Sequence, residues 1–212
     1  MLLMLGAARR ASEGERMVRA REWKDWSPDF MVGIQSTGKR LGIIGMGRVG
    51  REFARMARDG LGMEIHYHNR SRLPADLEAG ATYYETVEDL LPQCQFLSLH
   101  CPATPDSLGL LNAGRIALLP DEAIVVNTAR GAIIDDGALI EALKSGKLAA
   151  AGLDVFNGEP DGIHGGYREL SNVFLLPHIG SATRETRDAM GFRALANLEA
   201  FFAGQEPGDR VA

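Results

Sequence analysis

The chain has 212 residues, of which 45% are hydrophobic and 24% are charged. This is the composition of an ordinary globular protein with enough apolar side chains for a core. The formal net charge of −5 argues against a general attraction to nucleic acid or to an anionic membrane, so any anion site must be local. The two cysteines, Cys94 and Cys101, indicate neither a disulfide framework nor a metal site. We expect reduced thiols in a cytoplasmic protein.

An apolar run at residues 1–8 is followed by Arg9 and Arg10. A secretory signal peptide has the opposite charge order, and the run is too short to cross a membrane. We interpret it as the end of a buried helix, so that the sequence starts inside a helix of a longer protein. One helix is predicted over residues 2–22.

The predicted helix becomes highly charged and leads to Trp23 and Trp26, before Ser27-Pro28 breaks it. Two interpretations stay open for this arm. It could pack on its own domain, or it could form a subunit contact, where tryptophan is enriched. We predict three regions: a helical arm and linker that contacts a second copy at 1–37, a nucleotide-binding domain at 38–182, and a C-terminal helix and tail at 183–212.

Strand and helix patterns alternate after this arm. Short apolar runs such as 96–99 and 124–126 are typical of strands that are covered on both faces. The alternation predicts crossover connections and an α/β fold, a doubly wound parallel sheet of the Rossmann type. Ligands then bind at the carboxyl ends of the strands. Strands are predicted at 41–45, 63–67, 81–84, 95–99, 123–127, 149–153 and 173–176, and later helices at 48–60, 86–91, 112–118, 135–145 and 183–203.

The first predicted strand runs directly into Gly45-Met46-Gly47-Arg48-Val49-Gly50, and a helix follows. This strand–turn–helix pattern is the Gly-x-Gly-x-x-Gly opening of a dinucleotide-binding unit. Gly45 is expected to turn the chain sharply, Gly47 to leave room for a pyrophosphate, and Gly50 to let the helix pack closely. The helix N-terminus would offer N–H groups to the phosphates. The alternative is a tight turn that binds nothing.

The segment after the second predicted strand is His68-Asn69-Arg70-Ser71-Arg72. A site that prefers NAD normally places an acid here to hold the ribose hydroxyls. An arginine can instead grip a 2′-phosphate, which a carboxylate would repel. We therefore predict NADP(H) as the preferred cofactor, with NAD(H) possible. The alternative is that Arg70 and Arg72 face solvent.

Three later segments each follow a predicted strand and carry Arg130, Glu159 and His178. Because each segment projects toward the same crevice of a parallel sheet, we predict that the three side chains converge. The arginine suits a substrate carboxylate and a keto oxygen that gains negative charge. The histidine suits proton donation to that oxygen, with the glutamate orienting the imidazolium. Each residue alone has an ordinary structural explanation, but together they indicate hydride transfer to a 2-keto acid.

Five segments together resemble the NAD-binding domain of the D-isomer-specific 2-hydroxyacid dehydrogenases, especially the glyoxylate/hydroxypyruvate reductase branch. They are GMGRVG at 45–50, LHCP at 99–102, NTARG at 127–131, GLDVF at 152–156 and PHIGSAT at 177–183. The similarity runs from about residue 1 to the end of the chain. The resemblance implies that Arg130 binds substrate, that His178 is the acid/base and that Glu159 is its partner.

The resemblance also implies cofactor contacts and an oligomeric state. Members of the family are usually homodimers, in which the region corresponding to residues 2–26 forms much of the contact. The contacts it implies are Arg48 and Val49 at the pyrophosphate, His100 and Pro102 along the cleft, Asp154 at the nicotinamide carboxamide, and Thr128 and Gly180 near the nicotinamide end.

One departure from the family is an absence. Family enzymes carry an N-terminal substrate domain, and we expect that domain to be missing here. The C-terminal helix would then expose apolar side chains that normally pack partly against it. We expect weak or no turnover from these residues alone, with cofactor binding retained.

The leading functional hypothesis is NADPH-dependent reduction of glyoxylate or hydroxypyruvate. A second hypothesis is another enzyme of the family, such as a phosphoglycerate or D-lactate dehydrogenase, because the absent domain largely sets substrate choice. A third is a non-catalytic module that senses NADP(H). Arg130, Glu159 and His178 argue against the third, because a sensor needs no acid/base pair.

Overall fold

The computed structural model describes residues 1–210. In that part of the chain, seven strands form one sheet in the order β3-β2-β1-β4-β5-β6-β7. Every neighbouring pair is parallel, so the predicted α/β class and doubly wound sheet are confirmed. The strands are β1 Arg40–Ile44, β2 Glu64–His68, β3 Thr82–Tyr84, β4 Phe96–Leu99, β5 Ala123–Asn127, β6 Leu148–Leu153 and β7 Val173–Leu175.

Helices connect the strands and flank the sheet. The α-helices are α1 Leu2–Ala8, α2 Ala11–Arg19, α3 Arg48–Leu61, α4 Ala75–Glu78, α5 Val87–Leu90, α6 Ala113–Leu118, α7 Asp136–Lys144 and α8 Arg184–Phe202. Short 3₁₀ turns lie at Leu91–Gln93, Gly131–Ile133 and Gly165–Glu169. The sequence pattern did not predict α4, which is only one turn long. No helix in the described residues is both long enough and apolar enough to cross a bilayer.

The prediction of one helix over residues 2–22 is wrong. The helix breaks at Arg10, which has a left-handed backbone conformation with φ +53°. The carbonyl of Ala8 accepts a hydrogen bond from the Ile34 amide at 2.8 Å, so a segment distant in sequence takes up the end of α1. The long apolar-to-charged pattern therefore covers two different helices: α1 is mostly buried, whereas α2 buries no residue.

The first helix packs directly on the sheet beside β6 and β7. A Cβ atom on Gly152 would lie 2.7 Å from the Leu3 carbonyl oxygen, and one on Gly6 would lie 2.5 Å from the Phe174 ring. The absence of side chains at both glycines is therefore what allows this close approach. In this structure α1 belongs to the same compact unit as the sheet, Met1–His178.

The core lies on both faces of the sheet. Alternate residues of neighbouring strands enter opposite apolar clusters: Leu97 and Val125 belong to one, Phe96 and Ile124 to the other. Because both faces are covered by helices, the strands carry continuous apolar runs rather than an alternating pattern. This explains why the short apolar segments were reliable signals of strands.

Residues Ile179–Ala212 form a second unit, described to Arg210. Its helix α8 begins after Thr183, whose hydroxyl accepts a hydrogen bond from the Thr186 amide at 3.2 Å. Near the end of the chain, Arg193 pairs with Asp209. The helix exposes its large apolar side chains, namely Met190, Phe192, Leu195, Leu198, Phe201 and Phe202.

Candidate cofactor and catalytic site

The turn at residues 45–50, here called the glycine loop, joins β1 to α3. Gly45 has φ +96°, and a Cβ atom there would lie 2.5 Å from the Cys101 backbone nitrogen. A Cβ atom on Gly50 would lie 2.4 Å from the Gly45 carbonyl oxygen. These contacts confirm the predicted conformational tasks of Gly45 and Gly50: the first allows the turn and the second allows helix packing.

Gly47 differs from its two neighbours in the motif. No atom lies within 4 Å of a Cβ built at this position, and its backbone is extended, with φ −79° and ψ −157°. The protein itself therefore does not require glycine here. Bare backbone beside open space fits a pyrophosphate that approaches the loop closely.

The N-terminus of α3 supports the same fit. The helix has 14 residues, begins at Arg48 and has no side-chain cap. Its first intrahelical bond runs from the Arg51 amide to the Gly47 carbonyl at 2.9 Å, so the preceding amides and the positive end of the helix dipole are available to phosphate oxygens. Val49 is 68% exposed at this end.

A cleft of about 690 Å³, the β1–β2 cleft, opens beside the glycine loop. Asn69 joins the two strands at its wall, because its Oδ1 accepts a hydrogen bond from the Met46 amide at 2.6 Å. Arg70 and Ser71 also line the cleft and are exposed. Within residues 1–210, no carboxylate lies at ion-pair distance from Arg70. Other lining residues are Gly45, Gly47, His68, Thr86, Glu88, His100, Pro102 and Arg115.

The second arginine of the segment lies elsewhere. The Arg72 guanidinium forms two hydrogen bonds with the Glu78 carboxylate, at 2.8 and 3.1 Å, and Tyr67 Oη donates to Glu78 at 2.6 Å. Hydrogen bonds from Arg72 and Tyr67 lower the pKa of Glu78. Arg72 is therefore engaged by its own domain, and Arg70 is the arginine that faces the cleft.

The sequence pattern did not predict an ion pair in the β1–β2 cleft. Arg115 of α6 meets Glu88 of α5 at 2.8 Å, and both line the cleft. They are 27 residues apart, and each sits in a short helix with no motif. The only local signal was Thr86, whose hydroxyl caps α5 by accepting from the Asp89 amide at 3.1 Å.

A second cleft, of about 660 Å³, lies at the carboxyl ends of β5 and β6 and is called here the β5–β6 cleft. Arg130 and Glu159 line it together, as do Val49, Pro102 and Thr128. The two clefts share His100, Cys101 and Pro102. The two clefts therefore meet at the LHCP segment, an arrangement suited to an elongated ligand that occupies both.

Glu159 and His178 form a direct pair. His178 Nδ1 and Glu159 Oε1 are 2.5 Å apart, and Glu159 Oε2 accepts a hydrogen bond from the Phe156 amide at 2.8 Å. Burial by itself would raise the pKa of the Glu159 carboxyl, but the hydrogen bonds from His178 and Phe156 leave that pKa below its usual value. The carboxylate is thus ionised and holds one nitrogen of the imidazole.

The segment of Arg130 is fixed by Asn127 at the end of β5. Asn127 Nδ2 donates to the Arg130 carbonyl at 2.9 Å, and Asn127 Oδ1 accepts from the Ala129 amide at 3.0 Å. Gly131 follows, and a Cβ atom there would lie only 2.0 Å from the Phe156 carbonyl carbon. The Arg130 and Glu159 segments are therefore in backbone contact, which sequence distance alone could not reveal.

His100, between the two clefts, is held as a neutral base. Burial lowers its pKa to about 4. Its Nε2 lies 2.9 Å from Ser98 Oγ, and its ring centroid is 5.3 Å from that of Phe53. A neutral imidazole at this position adds no charge to either cleft.

The remaining predicted residues lie at different places. Asp154 is 4% exposed directly after β6, and its amide donates to the Asn127 carbonyl at 3.0 Å. Within the described residues neither Asp154 nor Arg48 lines either cleft. Gly180 belongs to the second unit. Residues 1–210 contain no group of three or more metal-ligating side chains, and Cys94 and Cys101 are free thiols.

The family model described as "D-isomer specific 2-hydroxyacid dehydrogenase, NAD binding domain" matches residues 1–180. A glycerate dehydrogenase of Hyphomicrobium methylovorum is 45% identical over 97% of this chain and 64% of its own length. A glyoxylate reductase of Aeropyrum pernix is 44% identical over 99% of this chain and 63% of its own length. The chain therefore spans less than two thirds of these relatives.

Solved structures agree with the fold. A Polaromonas crystal structure described as a putative D-isomer specific 2-hydroxyacid dehydrogenase superposes with a TM-score of 0.96 at 50% identity, over 100% of this chain and 66% of that one. An NADPH-dependent glyoxylate/hydroxypyruvate reductase from Sinorhizobium meliloti, in complex with NADP and malonate, superposes with a TM-score of 0.88 at 32% identity, over 99% and 64%.

Proposed function

Because the chain belongs to the D-isomer specific 2-hydroxyacid dehydrogenase family through its NAD-binding domain, we propose that it is the cofactor-binding portion of a reductase. The reductase transfers a hydride from NADPH to a small 2-keto acid of the glyoxylate or hydroxypyruvate type. The observation that carries the proposal is the juxtaposition of Arg130 and Glu159 in one cleft, with His178 paired to Glu159 at 2.5 Å.

This geometry supports a distinct role for each of the three side chains. Glu159 holds His178 Nδ1, so Nε2 is the nitrogen that delivers a proton to the keto oxygen. The Arg130 guanidinium binds the substrate carboxylate and stabilises the negative charge that develops on the keto oxygen. The bound nicotinamide supplies the hydride. Phe156 contributes its amide, which keeps Glu159 from rotating away from the histidine.

The proposed cofactor preference rests on the wall of the β1–β2 cleft. Arg70 lines the cleft without a carboxylate partner in the described residues, and Asn69 stands where an acid would repel a 2′-phosphate. The pairing of Arg72 with Glu78 supports Arg70 as the principal phosphate ligand, with Ser71 beside it. The Sinorhizobium relative is named as NADPH-dependent, which is compatible with this assignment.

We also propose the partners of the chain. The arm exposes Trp23 at 57% and Trp26 at 70%, and such a surface suits a contact with a second copy. The exposed apolar residues of α8 suit packing against a substrate domain. The two free thiols suit the cytoplasm.

A binding and isotope-transfer experiment tests the proposal. We expect the purified chain to bind NADPH more tightly than NADH, as measured by the fluorescence of each nucleotide. Turnover by these residues alone should be weak, so the sensitive readout is deuterium transfer from 4-deuterated NADPH to glyoxylate, with the labelled glycolate detected by mass spectrometry. Failure to bind either nucleotide would overturn the proposal. Binding without transfer, even when a substrate domain from a relative is fused to the chain, would favour a sensor.

A further inference from the structure

A polar network lies beside the Glu159 segment and joins three distant parts of the chain. Asp136, the first residue of α7, accepts a hydrogen bond from Tyr167 Oη at 2.6 Å on one carboxylate oxygen. Its other oxygen accepts from Asn157 Nδ2 at 2.8 Å. Asn157 Nδ2 also lies 3.3 Å from the Ile134 carbonyl. Both oxygens of Asp136 are therefore engaged, one with each partner.

Asn157 lies in the short segment between Phe156 and Glu159. It follows Phe156, whose amide donates to Glu159, and it lies two positions before Glu159 itself. On its other side the Phe156–Asn157 peptide rests on Gly131, the residue next to Arg130. The segment that carries the glutamate is thus held between the backbone beside the arginine and the carboxylate of Asp136.

Tyr167 makes the network rigid. The residue is 1% exposed, and its ring packs edge-on against Phe156 with centroids 6.2 Å apart. Burial and the neighbouring Asp136 raise the pKa of the Tyr167 phenol far above its usual value. The phenol therefore stays protonated at neutral pH and donates its hydrogen bond to Asp136.

We propose that Asp136 is a positioning residue which, through Asn157 and with support from Tyr167, sets the place of Glu159 relative to Arg130. The carboxylate of Glu159 then meets His178 in the geometry that proton donation needs. The inference rests on the proposed function for its significance. Its test needs neither cofactor nor turnover, so the two can fail separately. The competing explanation is that the network only stabilises α7 and the turn at Gly165–Glu169.

The decisive measurement is the titration of the Glu159 carboxyl, followed by ¹³C NMR in the whole chain and assigned with Glu159→Gln. In Asn157→Ala we expect the Glu159 pKa to rise toward its ordinary value, because the contacts with His178 and the Phe156 amide loosen. No charge is removed in this variant. The shift therefore reports position alone.

In Asp136→Asn, loss of positioning and loss of the anion shift the Glu159 pKa in opposite directions. The new amide still offers an oxygen to Tyr167, but it turns a donor toward the donor of Asn157, so that contact is lost. Removing an anion would by itself lower the pKa of a neighbouring carboxyl. A rise in the Glu159 pKa therefore supports positioning, whereas a fall or no change contradicts it.

Asn172→Ala is the matched control. Asn172 also donates from one amide to two backbone carbonyls, Leu143 of α7 at 3.1 Å and Ala149 of β6 at 3.2 Å, without touching the Glu159 segment. We expect it to lower stability and leave the Glu159 titration unchanged. If Asn157→Ala behaves like Asn172→Ala, the proposal is wrong.

Tyr167→Phe guards against a folding failure of the other variants. It keeps the ring on Phe156 and removes only the donor to Asp136. We expect a smaller rise in the Glu159 pKa, because the contact between Asp136 and Asn157 remains. A folded Tyr167→Phe with a Glu159 titration identical to that of the unsubstituted chain would exclude Tyr167 from the network, and with it the proposal as stated.

Discussion

The glycine loop and the β5–β6 cleft are built in opposite ways. The loop uses consecutive residues whose demands are local: a positive φ at Gly45 and a close helix approach at Gly50. The cleft brings together Arg130 and Glu159 from different strand ends. The difference teaches that the glycine loop is encoded by backbone conformation, whereas the meeting of Arg130 and Glu159 is encoded by topology and held in place by neighbours such as Asn127 and Phe156.

The largest expected effect concerns His178, the partner of Glu159, which lines the β5–β6 cleft. His178→Ala should lower the rate of deuterium transfer to glyoxylate by about 10²–10⁴-fold, because the general acid is lost. NADPH affinity should change little, since His178 stands at the reacting end. Rates are compared in the chain joined to a substrate domain, and affinity is measured by NADPH fluorescence.

Glu159→Gln is the partner test for that variant. The amide keeps the shape of the side chain but no longer stabilises the imidazolium, so the rate should fall, though less than in His178→Ala. Equal rates in Glu159→Gln and the unsubstituted chain would remove Glu159 from the mechanism.

Two glycine variants contrast stability with binding inside the loop. Gly45→Ala should destabilise the fold by about 2–4 kcal/mol, because φ is +96° and the new Cβ would meet the Cys101 nitrogen at 2.5 Å. Gly47→Ala should leave stability unchanged within about 0.5 kcal/mol yet weaken NADPH binding by about tenfold or more.

Urea unfolding and nucleotide fluorescence measure the two quantities in both variants. If Gly47→Ala binds NADPH as well as the unsubstituted chain does, the open space beside Gly47 is not a phosphate site.

The lowered pKa of His100, which lines both clefts, should make the stability of the fold depend on pH. Its pKa is about 4 in the folded chain and 6.5 when exposed. Below pH 6.5 the unfolded chain binds a proton that the folded chain does not, so stability falls as the pH drops from 6.5 toward 4, by at most about 3 kcal/mol.

Thermal unfolding at pH 7 and pH 5 checks this expectation in His100→Gln. The glutamine cannot take up the proton, so the loss of Tm between the two pH values should be smaller than in the unsubstituted chain. An unchanged loss would assign the acid sensitivity to other groups.

The smallest effect concerns the two arginines near the β1–β2 cleft. Arg70→Gln should reduce NADPH affinity by about tenfold and leave NADH affinity nearly unchanged, because only the 2′-phosphate loses a partner. Arg72→Gln should instead lower stability slightly, since Glu78 loses its cation, with little change in the ratio of the two affinities. Titration with both nucleotides decides between them, and a reversed pattern would make Arg72 the phosphate ligand.

The sequence by itself determined the strand set and the glycine loop. Short apolar runs are typical of strands that are covered on both faces of a parallel sheet, and the Gly-x-Gly-x-x-Gly spacing reflects local backbone conformation. Neither feature depends on contacts between distant residues, so both can be predicted from the sequence. The strand-end positions of Arg130, Glu159 and His178 followed from the same pattern, because the ends of parallel strands share one edge.

The tertiary structure decided what depends on contact between distant segments. The first helix breaks near Arg10, where the Ile34 amide donates a hydrogen bond to the Ala8 carbonyl. Arg72 pairs with Glu78 and does not line the β1–β2 cleft. The pairing of Glu88 with Arg115 and the network around Asp136 join short helices and loops that carry no periodic signal. Such partners are selected by packing, and a linear pattern contains the residue types but not their neighbours.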